Sequence, residues 1–188
     1  GIDMGLFNDR IVLTADFYQK TTKDLLLSRP LPTSSGFSTI TQNVGEVENK
    51  GIELTLQTQN VTRQNFSWTS QLNLSANRNK VLKLYNGQPI DNLGRGSNRI
   101  EEGQPIGIFY SYRSLGVNPS TGDIVFADTN NDGEITSEDR TKVGNPNPKL
   151  IGGFTNNFTF KGFDASVFMQ FSYGNDVFHG SRLFLESL

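Results

Sequence analysis

An acidic loop holds the residues of this chain whose types and spacing best suit chemistry. Residues 128–139 fit the pattern D-x-N-x-D-G-x-I-x-x-x-D, in which oxygen-bearing side chains recur at alternate positions. Calcium is a hard cation that takes roughly six to eight oxygen ligands, and this spacing therefore predicts a calcium site. The predicted ligands, through side chains or, at Glu134, through the backbone carbonyl, are Asp128, Asn130, Asp132, Glu134, Thr136 and Asp139.

The last position of this loop departs from the usual calcium loop. An EF-hand has a bidentate glutamate there, whereas Asp139 is one methylene shorter and resembles the residue in dockerin-type loops. The flanking residues 124–126 have strand character, and Pro146 and Pro148 follow soon after, so paired helices are not expected. The sequence favours a lone structural calcium site that pins a long exposed loop. A solvated, Asx-rich turn without metal is the alternative.

Other chemical groups are sparse. The chain has no cysteine and one histidine, His179, which excludes a Cys-type zinc site and a multi-histidine site within it. Glu101 and Glu102 are adjacent, and adjacent residues of an extended chain point to opposite sides, so they do not form a glycosidase pair. Neither 94–96 nor 103–107 matches a phosphate-binding fingerprint. We predict no catalytic residue, no organic cofactor and no enzyme.

Composition narrows the classes of function that remain. The 188 residues carry 17 basic and 19 acidic side chains, and no basic block is present, so nucleic acid is not an expected partner. No apolar run approaches the ~20 residues of a membrane helix, whereas a barrel strand needs only about 9–11 residues. The chain starts at a glycine without a signal segment, and we expect it to be an internal fragment of a longer protein.

Alternation of apolar and polar residues predicts β-strands along most of the chain. The clearest strand is 66–77, where Phe66, Trp68, Leu72 and Leu74 lie on one face and uncharged polar residues on the other. Similar segments occur at 2–6, 11–20, 47–58, 151–160 and 163–173. In the last of these, Phe168 interrupts the polar face. The predicted fold class is therefore all-β.

The lengths of the connections add a second signal. Short connections at 7–10, 59–65 and 161–162 alternate with long ones at 21–45 and 78–149. Outer-membrane barrels combine short periplasmic turns with long extracellular loops, so six spanning strands of a transmembrane antiparallel β-barrel fit this order. This alternation of short and long connections requires 106–113 and 123–127 to form a small hairpin inside the second long loop. A soluble sandwich also alternates, but strand length and loop order favour the barrel.

Several segments, in order along almost the whole chain, resemble the SusC/RagA family of TonB-dependent outer-membrane transporters. They include NVGEVENKGIE at 43–53, FSW at 66–68 leading to NRNKV at 77–81, GNPNPK at 144–149 and FSYGND at 171–176. The resemblance implies a barrel of about 22 strands with an N-terminal plug. The chain would supply part of the C-terminal half of the wall, with 78–149 as an extracellular loop region.

The resemblance also implies partners and a location. Members import oligosaccharides or peptides, are powered through TonB and carry a SusD-like lipoprotein lid, in the outer membrane of Gram-negative, Bacteroidetes-like cells. The expected partners of this chain are outer-membrane lipid, the lid, TonB through the missing N-terminal part, and the substrate. The main alternative is a soluble, calcium-stabilised β-sandwich that binds carbohydrate or mediates adhesion. Aggregation or detergent dependence of the isolated chain would favour the transporter.

Overall fold

Strands dominate the structure, a computed structural model that describes residues 1–30, 36–37, 39–91 and 98–181. The all-β class predicted from alternation is confirmed. In this part of the chain no helix has the length and hydropathy to cross a membrane. In chain order the strands are β1 (Ile2–Leu6), β2 (Ile11–Pro30), β3 (Thr39–Arg63), β4 (Phe66–Lys83), β5 (Ile90–Asp91), β6 (Asn98–Ile100), β7 (Ile108–Ser111), β8 (Ser114–Val117), β9 (Ile124–Phe126), β10 (Thr141–Gly144), β11 (Leu150–Phe160) and β12 (Phe163–Tyr173).

The strands form three sheets in two compact units. The largest sheet has the order β1-β2-β3-β4-β11-β12, a smaller one has the order β10-β7-β6-β5, and β8 pairs with β9. The first unit comprises residues 1–22, 48–79 and 147–175, and it holds most of the six-stranded sheet. The described part of the second unit lies within 23–47, 80–146 and 176–181 and holds the two smaller sheets.

The register of the six-stranded sheet gives it two chemically different faces. Phe66 pairs with Phe160, which pairs with Phe163, and successive side chains of each strand then alternate between the faces. We call the side that carries Phe66 the apolar face, and the side that carries its neighbour Ser67 the polar face. Thr55 Oγ1 donates to Asn73 Oδ1 at 3.0 Å, which places Glu53, Thr55 and Gln57 of β3 on the polar face as well.

The apolar face carries the residues that the alternation predicts, and many of them are exposed. Its members on the outer strands β1 and β12 are Ile2, Met4, Leu6, Phe163, Val167, Met169, Phe171 and Tyr173. Phe163 is 79% exposed and Met169 is 53% exposed. These side chains are therefore not covered by the rest of the described chain.

The long connection predicted at 21–45 is mostly strand, so that prediction is wrong in extent. β2 continues to Pro30 and β3 begins at Thr39, which leaves only 31–38 between them. The segment 21–30 lacks clean alternation and contains Asp24, whose φ is 56°. Pairing in the sheet order β2-β3, rather than local pattern, keeps this segment extended. The turns at 7–10 and 161–162 lie where they were predicted.

The predicted hairpin between 106–113 and 123–127 is also wrong. β7 pairs instead with β10 and β6, with Tyr110 opposite Lys142. β9 pairs with β8, which lies closer in sequence, with Ile124 opposite Val117. Sequence reasoning missed β8 because Gly116, at φ 119°, and a register shift next to it break the alternation. The region 78–149 is therefore a structured region with its own sheets.

A small apolar core stabilises the second unit. Its buried members, against which Leu25 packs, are Val47, Val81, Leu84, Ile90 and Ile100. Ile108 is also fully buried. The Leu84 amide N–H donates to Glu102 Oε1 at 2.8 Å, so this glutamate provides the acceptor for a main-chain N–H group at the edge of the apolar core. Glu102 is exposed and still has this structural role.

A polar cluster interrupts the apolar face. Thr58 Oγ1 donates to Asn60 Oδ1, Asn60 Nδ2 donates to Ser70 Oγ, and Ser70 Oγ donates to Asn156 Oδ1 at 2.7 Å. Trp68 Nε1 also donates to Asn156 Oδ1, at 3.0 Å. Asn156 is 9% exposed, and the Trp68 ring stacks on Phe158 with centroids 5.7 Å apart. The cluster joins β3, β4 and β11 through part-buried hydrogen bonds that meet at the buried Asn156, so it strengthens their pairing.

Replacing Asn156 tests that role. Asn156→Ala leaves the Trp68 and Ser70 donors without their acceptor, and each buried unsatisfied group costs about 1–3 kcal/mol. We expect the full-length protein to unfold at a lower urea concentration, measured from its folded-band mobility in unheated SDS gels. Asn157→Ala is the control, since Asn157 accepts from Ser166 on the polar face. Equal effects of the two substitutions would contradict a special role for Asn156.

Candidate functional site

The acidic loop brings three of its predicted ligands together. The Asp132 amide N–H donates to Asp128 Oδ1 at 3.2 Å and to Asn130 Oδ1 at 3.1 Å. Asn130 Nδ2 donates to Asp132 Oδ2 at 2.7 Å. The turn is sharp, with φ of 59° at Asn131 and 88° at Gly133, and the Gly133 N–H donates to Asp128 Oδ2 at 2.8 Å. Side-chain oxygens of Asp128 and Asn130 therefore converge on the Asp132 N–H.

The other predicted ligands have structural partners. Asp139 is fully buried, and its Oδ1 accepts from the Thr129 N–H at 2.7 Å while its Oδ2 accepts from the Thr136 N–H at 2.8 Å. Thr136 Oγ1 accepts from the Glu138 N–H at 3.2 Å, so Thr136 and Asp139 form a capping box around a short 3-10 turn. The Glu134 N–H donates to Asp132 Oδ1, and residue 134 is exposed.

The hydrogen bonds to Asp139 also set its ionisation. The Thr136 N–H is the largest cause that lowers its pKa, and the N–H groups of Thr129 and Asn130 add to it, whereas burial opposes the shift. The carboxylate is covered by its own loop. Its two oxygens join the two ends of the loop through the N–H groups of Thr129 and Thr136. Sequence reasoning assigned Asp139 as a metal ligand and missed this capping role.

The calcium prediction stays a prediction. Among the described residues, no group of three or more His, Cys, Asp or Glu side chains is placed to hold a metal ion. Asp128, Asn130 and Asp132 fit a cation through their convergent oxygens. Both Asp128 oxygens also accept backbone N–H groups, but Asp128 is only half-buried and Asp132 is exposed. Asp139 fits less well, because its carboxylate is fully buried with a backbone donor at each oxygen.

Two of the motifs behind the family resemblance meet each other. The Asn145 N–H donates to Asp176 Oδ2 at 2.7 Å, and the Asp176 N–H donates back to the Asn145 carbonyl at 2.8 Å. The same carboxylate lies close to Gly144, where a Cβ would be 3.0 Å from Asp176 Oδ2. The GNPNPK segment and the aspartate of FSYGND are therefore joined by two reciprocal hydrogen bonds. No sequence signal indicated that these motifs touch.

A third motif has a steric explanation. The Tyr18 hydroxyl donates to Asn77 Oδ1 at 3.1 Å on the polar face. On the way its ring passes Gly51, where an added Cβ would overlap the ring atoms. Gly51 therefore lets a side chain from β2 reach β4 across β3. The glycine of the NKGIE segment serves this close approach.

Tyr110 and Tyr112 of the long loop region pack against neighbouring side chains. The Arg99 guanidinium lies 3.5 Å from the centroid of the Tyr110 ring and pairs with Asp91 through two hydrogen bonds of 2.6 and 2.9 Å. These hydrogen bonds lower the pKa of Asp91 and raise the pKa of Arg99, while burial opposes both shifts. Tyr112 contacts Phe126, with centroids 5.6 Å apart. This charged stack was not predicted, because its members are far apart in sequence.

Phe168, which breaks the alternation of β12, lies over a glycine on the polar face. A Cβ on Gly153 would be 3.0 Å from Phe168 Cε2, so the missing side chain makes room for the ring. Beside the ring runs a shallow groove of about 470 Å³, the Phe168 groove. Its polar-face lining includes Glu53, Thr55, Asn73, Ser75, Gly153, Phe168 and Gln170.

The comparison with protein families decides the identity. A family model described as "TonB dependent receptor-like, beta-barrel" matches residues 1–182. The chain belongs to the TonB-dependent receptor β-barrel family. The resemblance to SusC/RagA transporters predicted from the ordered motifs is confirmed, and the all-β sheet is part of a barrel domain that this chain does not close.

Curated relatives of this receptor chain agree. TonB-dependent receptor P3 of Formosa agariphila is 38% identical over 209 residues, which cover 100% of this chain and 21% of the relative. TonB-dependent receptor SusC of Bacteroides thetaiotaomicron is 30% identical over 192 residues, covering 95% of this chain and 19% of the relative. The chain therefore spans about a fifth of the length of these relatives.

Solved structures give the same result. A chain in the structure of the RagAB peptide transporter matches with a TM-score of 0.78 and 26% identity, over 89% of this chain and 20% of that one. A RagAB peptide importer in its "open-open" state matches with a TM-score of 0.77 over 91% of this chain. The TonB-dependent receptor chain thus shares both sequence and fold with RagAB.

The capping role of Asp139 predicts a pH dependence. Because hydrogen bonds lower its folded-state pKa, the stabilisation is fully present above the ordinary aspartate value of 3.8 and is lost as the pH falls from there through the lowered pKa. We expect protease cleavage within 128–139 of the full-length receptor to increase steeply in that range, measured with the acid-active protease pepsin. Asp139→Asn should already increase cleavage at neutral pH, measured with a neutral protease. Identical cleavage of the variant and the wild type would contradict the cap.

Proposed function

We propose that this chain forms part of the outer-membrane wall of a SusC/RagA-type importer, with its apolar face toward lipid and its polar face toward the lumen. The observation that carries the proposal is one six-stranded sheet with an apolar and a polar face. Side chains of barrel strands alternate between lipid and lumen in this way. Family membership supports the same arrangement.

The sheet edges support continuation into a larger wall. In the described chain β1 and β12 are the outer strands of the six-stranded sheet. Unpaired strand edges are not tolerated in hydrocarbon, so both edges require further strands from the rest of the receptor. The relatives, about five times longer than this chain, have the length to supply them.

Exposure argues against the soluble sandwich. Every residue of β12 is exposed, including Phe163, Val167 and Met169. In a sandwich these alternate apolar side chains would be buried against a second sheet. Lipid is the solvent in which such a face is stable without that cover.

The partners and substrate follow from the same family. We assign TonB as the energy source, reached through a part of the receptor outside this chain, and a SusD-like lipoprotein as the lid. The hairpin of β8 and β9 offers a surface for the lid, because Leu115 is 66% exposed, Val117 is 61% exposed and Ile124 is 57% exposed. The substrate class is oligosaccharide or peptide. RagAB, the structural neighbour, is named a peptide transporter.

A pair of adjacent substitutions tests the assignment of the faces. Val167 lies on the apolar face and Ser166 on the polar face. An arginine facing lipid near the middle of the membrane costs about 2–4 kcal/mol, whereas a lumen position tolerates charge. We expect Val167→Arg to reduce the folded receptor in outer-membrane fractions strongly and Ser166→Arg to leave it near the wild-type amount. Equal tolerance of both would overturn the lipid-facing assignment.

We further propose that the acidic loop binds calcium through Asp128, Asn130 and Asp132, whose oxygens converge. Calcium would then stiffen a loop that Asp139 already closes. In the full-length receptor, calcium should slow protease cleavage within 128–139 relative to EGTA. Asp132→Ala should abolish the difference, whereas Asp123→Ala, an acidic residue outside the loop, should retain it. Cleavage that does not respond to calcium in the wild type would refute the site.

A further inference from the structure

The Phe168 groove combines an exposed aromatic ring with unpaired polar groups. Phe168 is 62% exposed, although every other β12 side chain on that face is polar. Its ring lies against Gly153 on one side, which fixes its position on the sheet. A position that only faces solvent would carry a polar residue. An aromatic ring held on a polar surface is instead a platform for an apolar ligand face.

The groups around the ring supply both donors and acceptors. Asn73 Oδ1 already accepts from Thr55 Oγ1 and Gln71 Nε2, which leaves the Asn73 amide N–H groups as the free donors. Gln170 offers a donor and an acceptor from one amide, and Glu53 offers carboxylate oxygens. Neighbouring hydroxyls of a sugar ring both donate and accept hydrogen bonds, so a pair of them can bond to one amide or one carboxylate of this kind.

Charge selects among ligands. Across 51–59, 67–77, 151–159 and 164–172, the polar-face residues include two acids, Glu53 and Asp164, and no base. A peptide brings a terminal carboxylate and often acidic side chains, for which this surface has no cationic partner. A neutral sugar needs none, and its ring presents C–H groups on one face and hydroxyls around the edge.

We propose that the Phe168 groove is a contact site for a neutral oligosaccharide, with one sugar ring stacked on Phe168 and its hydroxyls bonded to Asn73, Gln170 and Glu53. This inference rests on the proposed function, because the groove meets substrate only if the polar face lines the lumen. It goes further by choosing between the two substrate classes and by naming the residues that make the choice.

The experiment measures binding by the full-length receptor in detergent. Isothermal titration with maltoheptaose, laminarihexaose, xylohexaose and tryptic casein peptides identifies the class that the wild type binds. We expect one of the oligosaccharides to bind. Phe168→Ala should lower the affinity for that oligosaccharide about ten-fold or more. Phe168→Tyr, which keeps the ring, should bind within about two-fold of the wild type. Phe171→Ala removes a ring from the apolar face and should leave binding unchanged.

Each contrary result has a distinct meaning. Wild-type affinity in Phe168→Ala, or a wild type that binds only peptides or none of the probes, overturns the inference. Phe168→Ala could instead unfold earlier in unheated SDS gels and still bind sugar normally. That result would assign the ring to packing and would also overturn the inference. Phe168→Gln, which keeps bulk without the ring, should lose binding while remaining folded. Failure of the proposed function is separate, since it shows as equal tolerance of arginine at 166 and 167.

Discussion

Backbone pairing is the constraint on which the rest of this structure depends. In hydrocarbon no water is present to satisfy an N–H or C=O group, so a membrane wall has to be a closed ladder of strands. The continuous sheet from β1 to β12 supplies part of such a ladder through long strands and a tight turn at 161–162, and its two outer edges need further strands to complete it. Side-chain chemistry then distinguishes the two faces.

The exceptions to the two-face pattern carry most of the specific information. Asn156 lies on the apolar face, but it is buried and accepts from two donors, so its polarity joins neighbouring strands. Phe168 lies on the polar face, where Gly153 leaves space for its ring. The first exception stabilises the wall, and the second creates a mixed surface suited to a neutral, partly apolar ligand.

The loop region follows a different principle. Its segments do not span, so they need local partners, and they find them in short sheets, a small apolar core and hydrogen bonds from carboxylates to backbone. Asp139, Asp176 and Glu102 each accept from a main-chain N–H group. These carboxylates therefore serve the fold, and the side chains proposed to hold a cation at the start of the acidic loop are less buried than Asp139.

The sequence by itself determined the strand class, the two faces, the tight turns, the acidic-loop spacing and the family, because alternation and motif order are local properties. Only the tertiary structure decided which strands pair in 78–149, that Asp139 closes its loop, and that Asn145 meets Asp176. Those outcomes depend on partners distant in the chain or on hydrogen bonds between a side chain and the backbone of its own loop. A pattern along one segment contains no information about either.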